Sequence, residues 1–329
     1  MAMQYRAPWW LPGGHLQTIW ASVRSRRIEA APPPLERQRW STPDGDFVDV
    51  DWLTGPCDGG EQTPLLVLFH GLEGSSQSHY AQAFASLARR RSWRFALPHF
   101  RGCSGSVNLA ARAYHSGDHE EVQWLLERFN AVHRGPVLVV GVSLGGNALM
   151  RWAAEHGEQA ARRVRSVAAV CAPLDLMASG LAMGRGLNRH IYTPMFLKTM
   201  IPKALAKLEQ YPGLFERARL ERARDLYEFD NVFTAPLHGF VDTEDYWRRA
   251  SALPQLADVR VPALVLNAVN DPFIPAWSLP RPAQVSGAIT LWQPSQGGHV
   301  GFPVSERIGL GTNVLAMPEA VTDFLAQAL

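Results

Sequence analysis

The chain has little cysteine and no long apolar run. Its 329 residues include only three cysteines, Cys57, Cys103 and Cys171. Their number is odd and their spacing is not that of metal ligands, so we expect a reducing compartment and no disulfide framework. No apolar run approaches the roughly 18 residues that a membrane span needs, and the N-terminal segment lacks the apolar core of a signal peptide. These absences predict a soluble protein of the cytoplasm.

An excess of charge of either sign is also missing. The 32 basic and 30 acidic residues give a formal charge of +2 and are mixed along the chain. This balance argues against a nucleic-acid surface. With 47% hydrophobic and 19% charged residues, the composition is typical of a globular protein with a large core. Length alone permits one large domain or two.

A buried strand that turns sharply into a helix is predicted around Ser143. Residues 137–140 are an uninterrupted aliphatic run, as expected for a strand covered on both faces of a parallel sheet. The sequence Gly-Val-Ser-Leu-Gly follows at 141–145, and a helix-forming segment continues from 147 to 156. Glycines two positions before and after the serine permit a strained turn that presents the hydroxyl at its apex. Chance matches to this pentapeptide are frequent, but its position between strand and helix favours a nucleophile.

A second buried strand, residues 64–69, ends in a glycine-rich turn of sequence His-Gly-Leu-Glu-Gly. Glycine lets the backbone approach a bound group closely, so we expect the amide of Leu72 to face a developing oxyanion. The amide of Leu144, directly after the serine, would be its partner. The alternative is a strand-end turn without a ligand. The predicted substrate-binding residues are His70 and Gly71 of this turn and Tyr114 and His115 of a later loop.

Ser143, Asp271 and His299 occur in this order, and each directly follows a predicted strand. The carboxyl ends of parallel strands lie along one edge of a sheet, so the three side chains can meet there. His299 would take the serine proton, since an unperturbed imidazole titrates at about pH 6.5. Asp271 would orient the imidazole and stabilise its charged form.

Other candidates for these roles are weaker. Asp175 also follows a strand, but the strand of Asp271 is next to last and its Asp-Pro turn faces the histidine loop. Ser104 and Cys103 lie in a turn without the strand-to-helix context of a nucleophile, so we interpret them as structural. Asp230, Asp242 and Asp245, which lie between residues 176 and 257, are further competing acids.

Two regions do not alternate strands with helices. Residues 1–35 form an irregular arm rich in tryptophan, which we expect to pack across the body rather than touch a lipid surface. From 176 to 257 strands are absent and proline interrupts helix-like segments, which predicts a helical cap over the mouth of a site. The α/β core then consists of residues 1–175, which include the arm, and residues 258–329.

A hairpin is predicted for residues 38–52, because a Pro-Asp-Gly turn separates two strand-like runs. Asp49 and Asp51 alternate with apolar residues in the second run. The glycine and the terminal glutamate that a calcium loop requires are not in register. We therefore interpret these aspartates as the solvated face of a strand.

Together these motifs resemble the YheT-like α/β-hydrolases, a family of bacterial esterases and eukaryotic membrane-anchored lipid hydrolases. Besides the serine, aspartate and histidine loops, the matching segments are His-Leu-Gln-Thr at 15–18, Pro-Asp-Gly-Asp at 43–46, His-Phe-Arg-Gly-Cys-Ser-Gly at 99–105, Tyr-His-Ser-Gly at 114–117 and His-Gly-Phe at 238–240. The resemblance implies an α/β-hydrolase fold with a mostly parallel sheet. It also implies ester hydrolysis without metal or cofactor, with Ser143, Asp271 and His299 as the catalytic triad.

Two departures limit what the resemblance implies. The transmembrane segment of the eukaryotic members is absent, so their membrane lipid substrates do not carry over. None of the eleven histidines is followed five positions later by aspartate, so the acyltransferase signature of some related hydrolases is missing.

The resulting expectation is a serine-dependent carboxylesterase that acts on short to medium acyl esters through an acyl-enzyme. A lipase or thioesterase with the same residues, and a non-catalytic ligand-binding protein on the same fold, are the alternatives. The expected partner is an acyl ester or lipid-like small molecule, with no nucleic acid and no transmembrane segment. Peripheral contact with a membrane and the oligomeric state are left open.

Overall fold

Within residues 5–24, 32–55, 60–305 and 312–329, which the computed structural model describes, the chain forms one eight-stranded sheet. Its strands are β1 (Leu35–Ser41), β2 (Phe47–Leu53), β3 (Leu65–Phe69), β4 (Arg94–Pro98), β5 (Val137–Val142), β6 (Ser166–Val170), β7 (Ala263–Leu266) and β8 (Ile289–Trp292). They lie side by side in the order β1-β2-β4-β3-β5-β6-β7-β8. The β1–β2 and β2–β4 pairs are antiparallel and the other pairs are parallel.

Helices alternate with the parallel strands. They are α2 (His79–Arg90), α3 (His119–Val132), α4 (Leu144–Arg163) and, after the last strand, α11 (Ala316–Ala326). Between β6 and β7 the chain forms helices without a strand, and we call these the inserted helices: α5 (Leu176–Met183), α6 (Gly186–Gln210), α7 (Arg217–Glu221), α8 (Leu226–Val232), α9 (Thr234–Leu237) and α10 (Thr243–Ala250). The predicted α/β class, with one helical interruption of the sheet, is confirmed.

The central strands are buried on both faces because their successive residues are all apolar. Leu65, Val67 and Phe69 of β3 pack into one core with α3 and α4, whereas Leu66 and Leu68 pack into a second core with α2 and α11. This two-sided burial fixes the register of the sheet and places the carboxyl ends of the parallel strands at one edge.

The N-terminal arm is not irregular, as expected from its sequence, but contains helix α1 (Gly13–Arg24). Its buried residues Gly14, Gln17, Thr18 and Ala21 face the body of the protein. The expectation that the arm packs across the body is therefore confirmed, whereas its irregular structure is corrected. The helix is stabilised by contacts with distant loops, which local sequence patterns do not reveal.

The interpretation of Asp49 and Asp51 as a solvated face is wrong. Both residues are buried in β2, which lies between β1 and β4. Each pairs with an arginine directly opposite on β1, at 2.8 Å for Arg39 with Asp49 and 2.7 Å for Arg37 with Asp51. Burial alone would raise the pKa of Asp51, but hydrogen bonds from Arg37 and His99 lower it below its usual value.

Two further expectations have different outcomes. Among the described residues, no helix combines the length and the apolar character needed to cross a bilayer. Cys57 lies outside the described residues, while Cys103 and Cys171 are free and buried. The division into core and cap at residues 175 and 257 stays a prediction.

The glycine at position 145 permits a close approach between α4 and the end of β3. A Cβ at this position would lie 2.5 Å from the carbonyl oxygen of His70 and 2.6 Å from that of Phe69. We expect Gly145→Ala to lower the free energy of unfolding by about 1–3 kcal/mol, because overpacking outweighs the gain in helix propensity of up to about 1 kcal/mol. Denaturant unfolding measures the change.

The matched control is Gly287→Ala, since a Cβ there meets nothing within 4 Å. Equal denaturant midpoints for the two variants would contradict the prediction, because they would show that the junction between β5 and α4 accommodates an added methyl group.

Candidate functional site

Ser143 lies at the turn between β5 and α4, where the backbone changes direction sharply. Its φ of 52° and ψ of −120° are in a region that residues other than glycine rarely adopt. The amide of Ser143 donates to the carbonyl oxygen of Val170 at 2.8 Å, which ties the turn to β6. The neighbouring sheet therefore holds the strained residue, and its side chain lines a cavity.

The structure brings Ser143, His299 and Asp271 together. His299 Nε2 lies 3.0 Å from Ser143 Oγ, and His299 Nδ1 lies 2.9 Å from Asp271 Oδ2. The other carboxylate oxygen, Asp271 Oδ1, accepts a hydrogen bond from the amide of Phe273 at 2.8 Å. The Phe273 ring also stacks on the imidazole at 4.2 Å. This geometry lets Asp271 hold the proton on Nδ1, so that Nε2 can accept the proton of the serine hydroxyl.

Helix α1 holds the loop that carries His299. The amide of His299 donates to Thr18 Oγ1 at 2.8 Å, and the amide of Gly297 donates to Gln17 Oε1 at 2.9 Å. Asn270 links both loops, because its Nδ2 donates to Gln17 Oε1 at 3.0 Å and its Oδ1 accepts from the amide of Gly298 at 3.0 Å. Residue-by-residue reasoning did not single out these polar side chains. The family-like segment at 15–18 was the signal for Gln17 and Thr18, and the Asn-Asp-Pro loop was the signal for Asn270.

The competing acids have other partners. Asp175 and Asp242 accept hydrogen bonds from the first turns of α5 and α10. Asp245 pairs with Arg248 and Arg249. Asp230 accepts a hydrogen bond from Trp247 Nε1 at 2.8 Å. None of these contacts involves the imidazole of His299.

The turn after β3 lies beside Ser143. Leu72 and Leu144, the residues predicted to supply oxyanion amides, line the same cavity as the serine. A Cβ on Gly71 would lie 3.1 Å from the Cβ of Ser143, so glycine permits this close approach. The hydroxyl of Tyr80 accepts the amide hydrogen of Gly71 at 2.9 Å and so fixes the turn.

The position of His70 contradicts the expectation that this residue binds substrate. Its side chain is fully buried, and Nε2 accepts a hydrogen bond from the amide of Phe100 at 3.0 Å. Nδ1 must then carry the proton, which it donates to the carbonyl oxygen of Gly71 at 2.7 Å. This corrects the expectation, because a ring with both nitrogens bound to backbone has none left for a ligand.

The inserted helices line a cavity of about 160 Å³ that also contains Ser143. Its wall is mostly apolar and comes from α5, α6, α8 and the loop after β7. Tyr114 and His115 also line it, and their predicted role in binding substrate stays a prediction. The main apolar contributors are Leu176, Met183, Phe196, Met200, Phe229 and Ile274.

The charged groups in this wall have protein partners: Asp230 accepts hydrogen bonds from Thr234 and Trp247, and Lys207 donates to the carbonyl oxygen of Ala110. Burial lowers the pKa of His115 to about 3, so the imidazole is uncharged at neutral pH. Burial raises the pKa of Asp230 to about 6, although its hydrogen bonds partly oppose this. Glu73 forms an ion pair with Lys203 of α6 at 2.8 Å. The cavity is therefore suited to an apolar group.

One set of potential metal ligands occurs among the described residues. Donor atoms of Cys171, Asp271 and His299 lie within 4.8 Å of one another. Burial and the charge of Asp271 raise the pKa of the Cys171 thiol well above its usual value, which disfavours the thiolate that binds metals. Asp271 and His299 are already joined by a hydrogen bond. These donors fit a proton relay better than a metal centre.

The fold and the arrangement around Ser143 define the class of protein. A family model described as alpha/beta hydrolase fold matches residues 64–305. Solved structures show the same fold: an esterase of Pyrococcus furiosus superposes with a TM-score of 0.54 at 14% identity, over 90% of this chain and 93% of that one. Mouse alpha/beta hydrolase domain-containing protein 10 gives 0.52 at 16% identity, over 89% and 100%.

Relatives with higher sequence identity identify the family within this fold. YheT of Escherichia coli, which is named as a candidate esterase, is 38% identical over 291 residues, or 88% of this chain and 84% of that protein. Human phospholipase ABHD3 is 26% identical over 283 residues, or 84% and 68%. The chain belongs to the YheT-like α/β-hydrolases, as its motifs indicated.

The buried His70 predicts acid sensitivity. Burial lowers its pKa to about 3, whereas an unfolded histidine titrates at about 6.5. The native state then binds fewer protons than the unfolded state between these values, so stability is complete above pH 6.5 and falls as the pH decreases. We expect His70→Gln to weaken this pH dependence between pH 7.5 and 5.5, since an amide can replace both hydrogen bonds without titrating.

Denaturant unfolding at the two pH values measures the dependence, and His190→Gln, at an exposed position, is the control. An NMR titration in which the native His70 ring gains a proton near pH 6 would contradict the prediction.

Proposed function

We propose that this chain is a serine-dependent carboxylesterase. The contacts from Ser143 through His299 to Asp271 carry the proposal, because the 3.0 Å between Ser143 Oγ and His299 Nε2 suits proton transfer and the hydrogen bond to Asp271 orients the imidazole for it. In the first half-reaction, Ser143 Oγ attacks the ester carbonyl while His299 Nε2 takes its proton. The protonated imidazole then returns this proton to the leaving alcohol. Water hydrolyses the acyl-enzyme by the same route, and Ser143 regains its proton.

The oxyanion of each tetrahedral intermediate would be bound by the amides of Leu72 and Leu144. The position of both residues beside Ser143 supports this role. Donors held by rigid elements stabilise the developing charge without reorganising, and one such donor is typically worth about 10²–10³ in rate. Here α4 holds Leu144, and the hydrogen bond from Gly71 to Tyr80 holds the turn before Leu72.

The cavity under the inserted helices supports an acyl substrate. Its apolar wall matches a hydrocarbon chain, and we propose acyl chains of short to medium length. We propose that the inserted helices act as the cap that excludes water from the bound ester. The names of relatives are consistent with ester or lipid substrates, since they include a candidate esterase, a phospholipase and a monoacylglycerol lipase.

Ser143→Ala tests the nucleophile. We expect the native protein to react with a fluorophosphonate probe and to hydrolyse acyl esters, and Ser143→Ala to lose both activities by several orders of magnitude. The control is Ser104→Ala. Ser104 lies outside the turn between β5 and α4 that carries Ser143, so this variant should keep both activities. A native protein that neither reacts with the probe nor hydrolyses any ester would instead be a ligand-binding protein on this fold.

Thr18→Val tests the contribution of α1. This substitution removes the acceptor for the amide of His299 while keeping the side-chain shape. We expect kcat to fall about 10–100-fold with little change in KM, because a slightly displaced base slows proton transfer without altering the cavity. Thr18→Ser, which keeps the hydroxyl, should restore most of the rate.

Thr290→Val, on the exposed side of β8, is the matched control for a general effect of removing a hydroxyl. A Thr18→Val variant as active as the native protein would show that α1 does not position His299.

A further inference from the structure

Three segments around the candidate site contain no acidic residue. They are residues 5–24, 176–208 and 272–303, and none of the 30 acidic residues of the chain falls within them. The same segments carry several arginines and lysines. The even mixing of charges inferred from the whole sequence therefore does not hold locally.

The three segments lie against one another in the fold. His15 Nδ1 of α1 is 3.2 Å from the hydroxyl of Tyr192 of α6. Asn188 Nδ2 of α6 donates to the carbonyl oxygen of Pro272 at 2.6 Å. A Cβ on Gly14 would lie 3.2 Å from Pro272, so α1 also touches this loop. One side of the molecule is thus built from segments that lack negative charge.

Large apolar side chains are exposed on these segments. Leu187, Ile191 and Met195 follow one another at intervals of four residues on α6, and their exposed fractions are 58%, 41% and 54%. A four-residue interval places them in a single row along the helix. Leu16 and Val23 of α1 and Trp277 of the loop are exposed as well. We call the six residues Leu16, Val23, Leu187, Ile191, Met195 and Trp277 the apolar face.

Basic side chains flank the apolar face. Arg24 of α1 directly follows Val23, and Lys198 of α6 lies three residues after Met195, on the side of the helix that carries the row; both are exposed. An apolar row flanked by arginine and lysine is the pattern of helices that lie in the interface of an anionic membrane. A nucleic acid would attract the same charges, but it gives no reason for the exposed aliphatic row.

A groove connects this side of the molecule with the serine. It has a volume of about 780 Å³ and is lined by Ser22 of α1 and Met195 of α6, among others. Leu72, Glu73 and Phe196 line both this groove and the cavity that contains Ser143. Met195, at one end of the row on α6, therefore places the apolar face at the border of this groove.

We propose that the apolar face docks on an anionic lipid surface. The leucine, isoleucine, methionine and tryptophan side chains would enter the headgroup region, and Arg24 and Lys198 would bind lipid phosphates. Docking would place the groove against the lipid, so that an acyl chain could move into the cavity without crossing water. This route for substrate depends on the proposed esterase function, whereas docking itself does not.

Sedimentation with vesicles tests the proposal. We expect the full chain to bind vesicles of phosphatidylcholine and phosphatidylglycerol at low salt and to bind pure phosphatidylcholine much more weakly. Leu187→Glu combined with Ile191→Glu should reduce binding to the anionic vesicles about 10-fold or more, and added salt should weaken native binding.

The matched control is Val132→Glu combined with Val241→Glu, which places the same charges on two exposed valines outside the three segments. This control should bind like the native protein. Equal binding by the Leu187→Glu/Ile191→Glu variant and the control would overturn the proposal. So would a failure of the native chain to bind anionic vesicles, or its pairing through this face as a dimer seen in size-exclusion chromatography.

Two measurements separate this proposal from the esterase proposal. Ser143→Ala should bind anionic vesicles like the native protein, because docking does not need the nucleophile. Leu187→Glu with Ile191→Glu should hydrolyse a short water-soluble ester at the native rate, because neither residue lines the cavity or the groove. Loss of that hydrolysis would mean that the substitutions act through the fold, and the docking proposal would fail.

Discussion

The pair of hydrogen bonds on the imidazole of His299 is the constraint on which the site depends. One joins it to Ser143 and the other to Asp271, over sequence separations of 156 and 28 residues. Neither partner is placed by its own segment alone. The sheet order sets β7 beside β6 and β6 beside β5, which brings the loops after these strands to one edge. The geometry of a few atoms therefore depends on the registration of the whole parallel sheet.

Helix α1 adds a second layer to this constraint. Gln17 and Thr18 bind backbone amides of the histidine loop, and Gly14 lies against the aspartate loop. Loops at the edge of a sheet are usually more mobile than its strands. The hydrogen bonds from α1 therefore restrict the position of the His299 loop, which the strands alone do not fix. On its other side the same helix borders the groove and contributes to the apolar face. A single short helix thus connects the reactive loop with the surface through which we propose that lipid arrives.

Much of this could be predicted from the sequence, because aliphatic runs and glycine-flanked turns report on local structure. The β3 strand spans Leu65–Phe69, within the predicted residues 64–69, and the predicted order of Ser143, Asp271 and His299 corresponds to side chains in contact. What escaped prediction depends on partners far along the chain. The carboxylate of Asp51 looked solvated because its arginine lies on a different strand. The buried role of His70 depends on an amide 30 residues away, and α1 is stabilised by loops near the other end of the chain.

The position of His299 also bears on how the protein is made. Ribosomes deliver the chain from its N-terminus, so the elbow serine is synthesised 156 residues before the histidine that would activate it. Until the strands β7 and β8 and the loop after them have left the exit tunnel, a partly made chain holds an inert alcohol. In the proposed mechanism, Ser143 would therefore become reactive only after His299 has been synthesised, and the nascent chain would not be acylated before that point.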